Sequence, residues 1–124
     1  MMQGIVDQNC EATIRLAVGN RNGQRQMIDA VIDTGFSGFL TLPSTILEAL
    51  GLQAYRREVG TLGDGSNCVF DVHRGLVIWD GVLRSIDINE SETAPLVGMG
   101  LLYGYRMQID VVESGLVIIS ELPR

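Results

Sequence analysis

Positive charge is scarce in this chain, and so are the side chains that hold metals. Nine basic residues stand against fifteen acidic ones, for a net charge of −6. Phosphate backbones are bound through clustered Lys and Arg, so nucleic acid is excluded as a partner. Arg56-Arg57 is the one adjacent basic pair, and a solvated strand end accounts for it. With one histidine and two cysteines, Cys10 and Cys68, no zinc set can be assembled, and no metal or cofactor is expected. The two thiols form no Cys-x-x-Cys and read as free, as in a reducing compartment. No apolar run approaches the roughly 20 residues that a membrane helix needs, so no membrane is expected as a partner. The opening Met-Met-Gln-Gly-Ile-Val-Asp lacks the basic and apolar regions of a signal peptide, which points to an intracellular, cytoplasmic location.

What is present is apolar and evenly mixed. Of the 124 residues, 46 % are apolar, with charges interspersed among them. A chain of this size can bury about two-thirds of its unfolded surface. One globular domain over residues 1–124 is expected, without linker or repeat.

The patterning is that of strands. Residues 12–18 alternate apolar and polar side chains and end at Gly19-Asn20-Arg21-Asn22-Gly23, whose Asn-Gly signals a hairpin. The return strand, residues 26–32, finishes in Ala30-Val31-Ile32. A short strand at 39–42 precedes a helix at 43–50, with Pro43 in its first turn, Thr45 and Glu48 at capping-box spacing and Gly51 as its stop. Residues 52–62 and 67–79 form two long extended arms around Gly63-Asp64-Gly65-Ser66. Asp80-Gly81 turns into a strand at 83–88, followed by a polar loop at 89–93. Residues 94–102 read as a strand entering a short helix. A hairpin, 107–112 with 116–119, closes the chain around Glu113-Ser114-Gly115. The expected fold is all-β: a closed, mainly antiparallel, barrel-like domain with one or two short helices.

The residue that carries chemistry is Asp33. An apolar strand drives into Asp33-Thr34-Gly35, where a carboxylate is costly to bury unless it is hydrogen-bonded or paired. Gly35 lets backbone N–H groups approach the acid, and the Ser37 hydroxyl is placed to donate to it. Asp-Thr-Gly alone also describes an ordinary turn. The context is what separates the two readings. Ala30-Val31-Ile32-Asp33-Thr34-Gly35-Phe36-Ser37-Gly38, the hairpin tip Leu62-Gly63-Asp64-Gly65-Ser66, and Pro95-Leu96-Val97-Gly98-Met99-Gly100-Leu101-Leu102 follow one another in that order. With these three segments, spanning nearly the whole chain, the sequence resembles the retropepsin-like aspartic proteases, and more closely their bacterial single-domain type.

The resemblance implies an aspartic endopeptidase with Asp33, Thr34 and Gly35 as the catalytic turn. It implies a flap at Gly63, Asp64, Gly65 and Ser66, and a substrate pocket at Phe36 and Ser37. Retroviral members usually carry an acidic residue at the position of Ser37 and an arginine at that of Met99, which pair; here both charges are absent. Phe36 is bulky where Ala or Ser is usual, and is expected to narrow a pocket. Two carboxylates are needed for this chemistry, and the chain has one Asp-Thr-Gly. Asp64-Gly65 and Asp80-Gly81 lack the hydroxyl residue between them. A homodimer with one Asp33 per subunit is therefore expected, acting on an extended peptide. By the same resemblance Thr34 bonds across the subunits, and segments near Ile5-Val6 and residues 116–119 knit them together.

The rival is an inactive dimerisation or peptide-binding module of the same fold; a β-domain subunit of a larger complex is the third possibility. Trp79, Met99, Leu101 and Leu102 read as core or interface. His73 reads as an exposed or hydrogen-bonded strand residue, Asp71 and Asp110 as ordinary strand residues, and Glu90 and Glu92 as a solvated loop.

Overall fold

The computed structural model describes residues Met1–Arg124. Ten strands and two short helices follow one another in the order β1 (Met2–Val6), β2 (Ala12–Gly19), β3 (Arg25–Ile32), β4 (Leu40–Leu42), α1 (Ser44–Ala49), β5 (Ala54–Thr61), β6 (Asn67–Trp79), β7 (Val82–Glu90), β8 (Leu96–Val97), α2 (Met99–Leu102), β9 (Tyr105–Ile109) and β10 (Leu116–Glu121). They form one ten-stranded sheet, β5-β6-β7-β4-β8-β3-β2-β1-β10-β9. An extra pairing of β6 with β2, Val18 opposite Val77 and Gly19 opposite Leu76, folds the sheet back on itself. Most pairings are antiparallel. The exceptions are parallel: β4 with β7, and β3 with β8, whose pairing ends at Ile32 immediately before Asp33. The all-β expectation holds.

Alternation decides which side chains go inside. Along β2, Ile14, Leu16 and Val18 are buried while Arg15 is exposed, the period-two pattern of a strand with one wet face. These residues join Leu40, Leu42, Val77, Trp79, Ile86, Ile88, Val97, Leu101 and Ile119 in one core. Each such side chain contributes about 1.5–3 kcal/mol by leaving water. Trp79, Leu101 and Leu102 lie inside, as expected, whereas Met99 is 48 % exposed. The Trp79 ring packs edge-on against Tyr105 at 5.8 Å.

Several element ends differ from the sequence reading for local reasons. Pro43 is the N-cap of α1 in an extended conformation, not part of its first turn, and no side chain of Thr45–Glu48 spacing caps the helix. Instead the Ser44 N–H donates to the Glu92 carboxylate at 3.1 Å, so Glu92 is tied to the helix start. Gly51 ends α1 at φ +63°, the left-handed conformation that glycine adopts most readily. Asn89 and Glu90 belong to β7 because they pair with Thr41 and Leu42 of the parallel neighbour β4. The closing hairpin starts two residues earlier than the pattern suggests, at Tyr105, and leaves Val111 and Val112 in an exposed turn.

The terminal strands pair with each other inside one chain. β1 runs against β10 from Met2–Ile119 to Ile5–Leu116, and Ile5 and Val6 also pair with Thr13 and Ala12 of β2. β10 has β9 on its other side. Both edges of residues 116–119 are thus occupied, and they cannot add a strand from a second copy. Ile5 and Leu116, opposite one another, keep their side chains exposed.

Candidate active site

β3 carries the apolar run into Asp33 and, in parallel register with β8, sets Val31 opposite Leu96 and Ile32 opposite Val97. The Asp33 N–H continues that ladder by donating to the Val97 carbonyl at 2.9 Å. A tight turn follows, closed by the Phe36 N–H on the Asp33 carbonyl at 3.2 Å. The Asp33 carboxylate accepts the Gly35 N–H at 2.9 Å and is half-buried. Thr34, Gly35 and Ser37 are exposed. The hydroxyls of Thr34 and Ser37 take no part in the hydrogen bonds of a single chain, so the donation from Ser37 to Asp33 considered from sequence is not made.

The segment after β8 locks the turn from behind. Met99 N–H donates to the Phe36 carbonyl at 2.8 Å, Gly98 N–H to Phe39 at 3.0 Å and Gly100 N–H to Gly38 at 2.9 Å. The approach is close enough to demand glycine. A Cβ on Gly98 would lie 2.2 Å from the Gly38 carbonyl oxygen, and one on Gly100 2.8 Å from it. The Phe36 ring covers Gly38 and Gly98: a Cβ on Gly38 would meet it at 2.5 Å and one on Gly98 at 2.6 Å. Phe36 therefore fills the space beside the turn while its edge lines the cleft.

A cleft of about 530 Å³ opens in front of Gly35–Phe39, roofed by the hairpin of β5 and β6. Its apolar part is made by Phe36, Phe39, Val59, Leu62 and Phe70, with the half-buried thiol of Cys68 beside them. Its polar part comes from Arg56 and Glu58 on β5 and Asp87, Asn89 and Glu90 on β7. The hairpin tip, Gly63 to Ser66, is exposed and stands beyond the cleft wall, which ends at Leu62. There Gly65 sits at φ +86° and its N–H donates to the Leu62 carbonyl at 2.9 Å. The Ser66 hydroxyl and N–H both donate to Asp64 and hold its carboxyl below the usual range. In one chain the structure thus brings Gly35, Phe36 and Ser37 to the cleft and leaves the tip above open space.

Charged residues that patterning alone passed over organise the hairpin root. Asp87 accepts from the Tyr55 hydroxyl at 2.5 Å, from Arg56 at 3.0 Å and from Arg74 at 3.0 Å. Burial would raise its pKa, but those donors outweigh it and hold the carboxyl below the usual range. Arg56 also bonds Glu58, and Arg57 pairs with Asp71. Tyr55 is flanked by the guanidinium groups of Arg56 at 5.1 Å and Arg74 at 5.7 Å. His73 is buried, and Glu90 beside it lines the cleft rather than a solvated loop. The cue in the sequence was the alternation Arg56-x-Glu58 on one strand facing Asp87 on another, visible only once the strands are aligned.

No family model and no curated protein matches the chain. Solved structures do. The chain is similar to a retropepsin-like aspartic protease from Rickettsia conorii, at 16 % identity and a TM-score of 0.60, over 98 % of this chain and 91 % of that one. It is also similar to EIAV protease complexed with the inhibitor HBY-793, at 17 % identity and a TM-score of 0.56, over 75 % of this chain and 86 % of that one. No helix is long and apolar enough to cross a membrane. The locked Asp-Thr-Gly turn, the hairpin above it and the strand-to-helix segment behind it make up the retropepsin-like fold, and this chain has that fold.

Proposed function

We propose that the chain is one half of an aspartic endopeptidase, active as a homodimer in which the Asp33 carboxylates of two copies meet. The observation that carries this reading is the half-buried carboxylate of Asp33, presented on a turn locked by three backbone hydrogen bonds, whose following residues Gly35–Phe39 line a roofed cleft. Rigid placement of this kind is what a reacting acid needs. Two such carboxyls at close range cannot both ionise, so the pair keeps one proton. The ionised member takes a proton from water as that water attacks the peptide carbonyl. The protonated member gives its proton to the carbonyl oxygen; as the C–N bond then breaks, the proton taken from water passes to the departing amine and the one on the oxygen returns to the second carboxyl.

In this reading the 124 residues work as one cytoplasmic domain. Thr34, exposed and unbonded in one chain, reaches across to the partner turn. Gly63, Asp64, Gly65 and Ser66 close over an extended peptide, which adds as a strand beneath the hairpin. Phe36 and Ser37 meet its side chains. A two-fold axis is the commonest way to bring one residue onto its own mate. Because β1 and β10 are paired within the chain, contact between copies falls to outward side chains such as Ile5 and Leu116 instead of exchanged strands.

Asp33→Asn tests the reading. Peptide cleavage at acid pH is expected to fall by at least about a thousandfold, the order seen when an essential acid–base group is lost, with the fold intact by circular dichroism. Undiminished cleavage by the variant would remove Asp33 from the chemistry. Peptide held by the wild type without turnover would mark a binding module.

A further inference from the structure

His73 is the one histidine of the chain, and it is buried at the root of the hairpin. It lies opposite Ala54, the first residue of β5, where the β5–β6 register shifts between Ala54 and Arg56. Its Nδ1 is 3.0 Å from the Leu52 carbonyl, in the segment that feeds β5. Its Nε2 is 3.2 Å from a Glu90 carboxylate oxygen, at the end of β7 and on the cleft wall. One ring therefore ties together both arms of the hairpin and the cleft.

Both partners are acceptors. A carbonyl oxygen requires a proton on Nδ1. A carboxylate then requires a second proton, on Nε2 or on Glu90 itself. A neutral ring beside an ionised Glu90 sets a lone pair against a negative oxygen, and the bond is lost. No other charged group reaches the ring. On β5 and β7, Arg56, Glu58 and Asp87 are engaged with one another, together with Arg74 of β6. Arg57 is paired with Asp71, and Glu90 alone comes within ion-pair distance of His73. The 50–53 segment carries no titratable side chain, and neither does β4.

We propose that the His73–Glu90 pair is a proton-dependent clamp that positions the hairpin over the cleft, closed at acid pH and released when the pair loses its shared proton. With two acceptors on one ring, the clamp is whole while the extra proton is present and opens as pH rises and that proton leaves. His73 is a positioning residue here; its effect on the reaction rests on the peptidase reading above, but the clamp itself does not.

Glu90→Gln separates the clamp from mere packing. A glutamine amide N–H can donate to the bare Nε2 of a neutral ring, so the variant keeps both bonds without the extra proton. Amide hydrogen exchange at residues 54–60 and 67–73, corrected for its intrinsic pH dependence, is expected to rise about tenfold between pH 5.5 and 7.5 in wild type, as for loss of one charge-assisted bond. In Glu90→Gln the same comparison stays flat. Nitrogen-15 spectra of the single histidine should show both ring nitrogens protonated at the lower pH, and in the variant at pH 7.5 a neutral ring with its proton on Nδ1. For peptide cleavage, KM should rise about tenfold over that pH range in wild type and stay level in the variant, the gain arising from the same bond. Equal exchange behaviour in both proteins would overturn the clamp, and so would loosening that leaves KM unmoved. Absence of all cleavage by wild type, with the exchange difference intact, supports the clamp and counts against the peptidase reading instead.

Discussion

At Gly98, backbone chemistry and function meet in a missing methyl group. Its N–H bonds Phe39, and its Cα faces the Gly38 carbonyl so closely that a Cβ would sit 2.2 Å from the oxygen, with Phe36 on the other side. Neither neighbour can give way: one is backbone and the other is a ring wedged over two glycines. Gly98→Ala is expected to cost about 3 kcal/mol, at the upper end of overpacking, and to shift the Asp33 turn. Urea unfolding checks the first effect and peptide cleavage the second. The residues of this turn were legible in the sequence, because Asp-Thr-Gly and the Gly98-Met99-Gly100 segment are local patterns in a recognisable order. The bonding of Ser37 was not, since a hydroxyl four residues from an acid can donate to it or stay clear of it, and here Asp33 accepts from the Gly35 N–H and not from Ser37.

At the scale of elements, the hairpin is held by polar chemistry at its root more than by apolar packing along its arms, where Val59 and Val69 are exposed. Asp87 on β7 gathers Tyr55 and Arg56 from β5 and Arg74 from β6. Its pKa lies below the usual carboxylate value, so it binds fewer protons when folded than when unfolded. The stability it contributes is present above the unfolded pKa of about 3.9 and is lost as pH falls through the lower folded value. Asp87→Asn is therefore expected to lower stability by about 1–2 kcal/mol at pH 6, as for a charged hydrogen-bond network with partial exposure. The difference should shrink as pH falls through that lower folded value, where the wild-type carboxyl is also protonated. Urea melts across that range follow it. The strands of this network were legible from alternation, but the meeting of residues 31 positions apart was not. Helix α1 makes the same point, since its cap comes from Glu92 in a distant loop while the local Thr45–Glu48 spacing goes unused.

For the whole molecule, a sheet closed by β6 on β2 buries one core, and the chain carries one Asp-Thr-Gly turn, at the end of β3. The proposed pairing of two Asp33 carboxyls ties cleavage to association. Cleavage per chain is expected to fall on dilution, approaching second order in protein once dimers dissociate. Tenfold excess of the Asp33→Asn chain should cut wild-type activity more than about fivefold by drawing it into mixed pairs, as two-fold association demands. Activity linear in concentration and untouched by the variant would show that one chain suffices.

Strand alternation and turn residues were enough to determine the all-β fold, and the Asp-Thr-Gly context to single out Asp33 as the candidate acid, because each is written in neighbouring residues. Three things were decided only in three dimensions. The terminal strands pair with each other, Glu90 joins a buried histidine, and a single charged cluster fastens the hairpin. All three depend on which strands lie side by side and in what register, which is settled by burying the core as a whole. A one-residue slip would turn every one of those side chains to the opposite face.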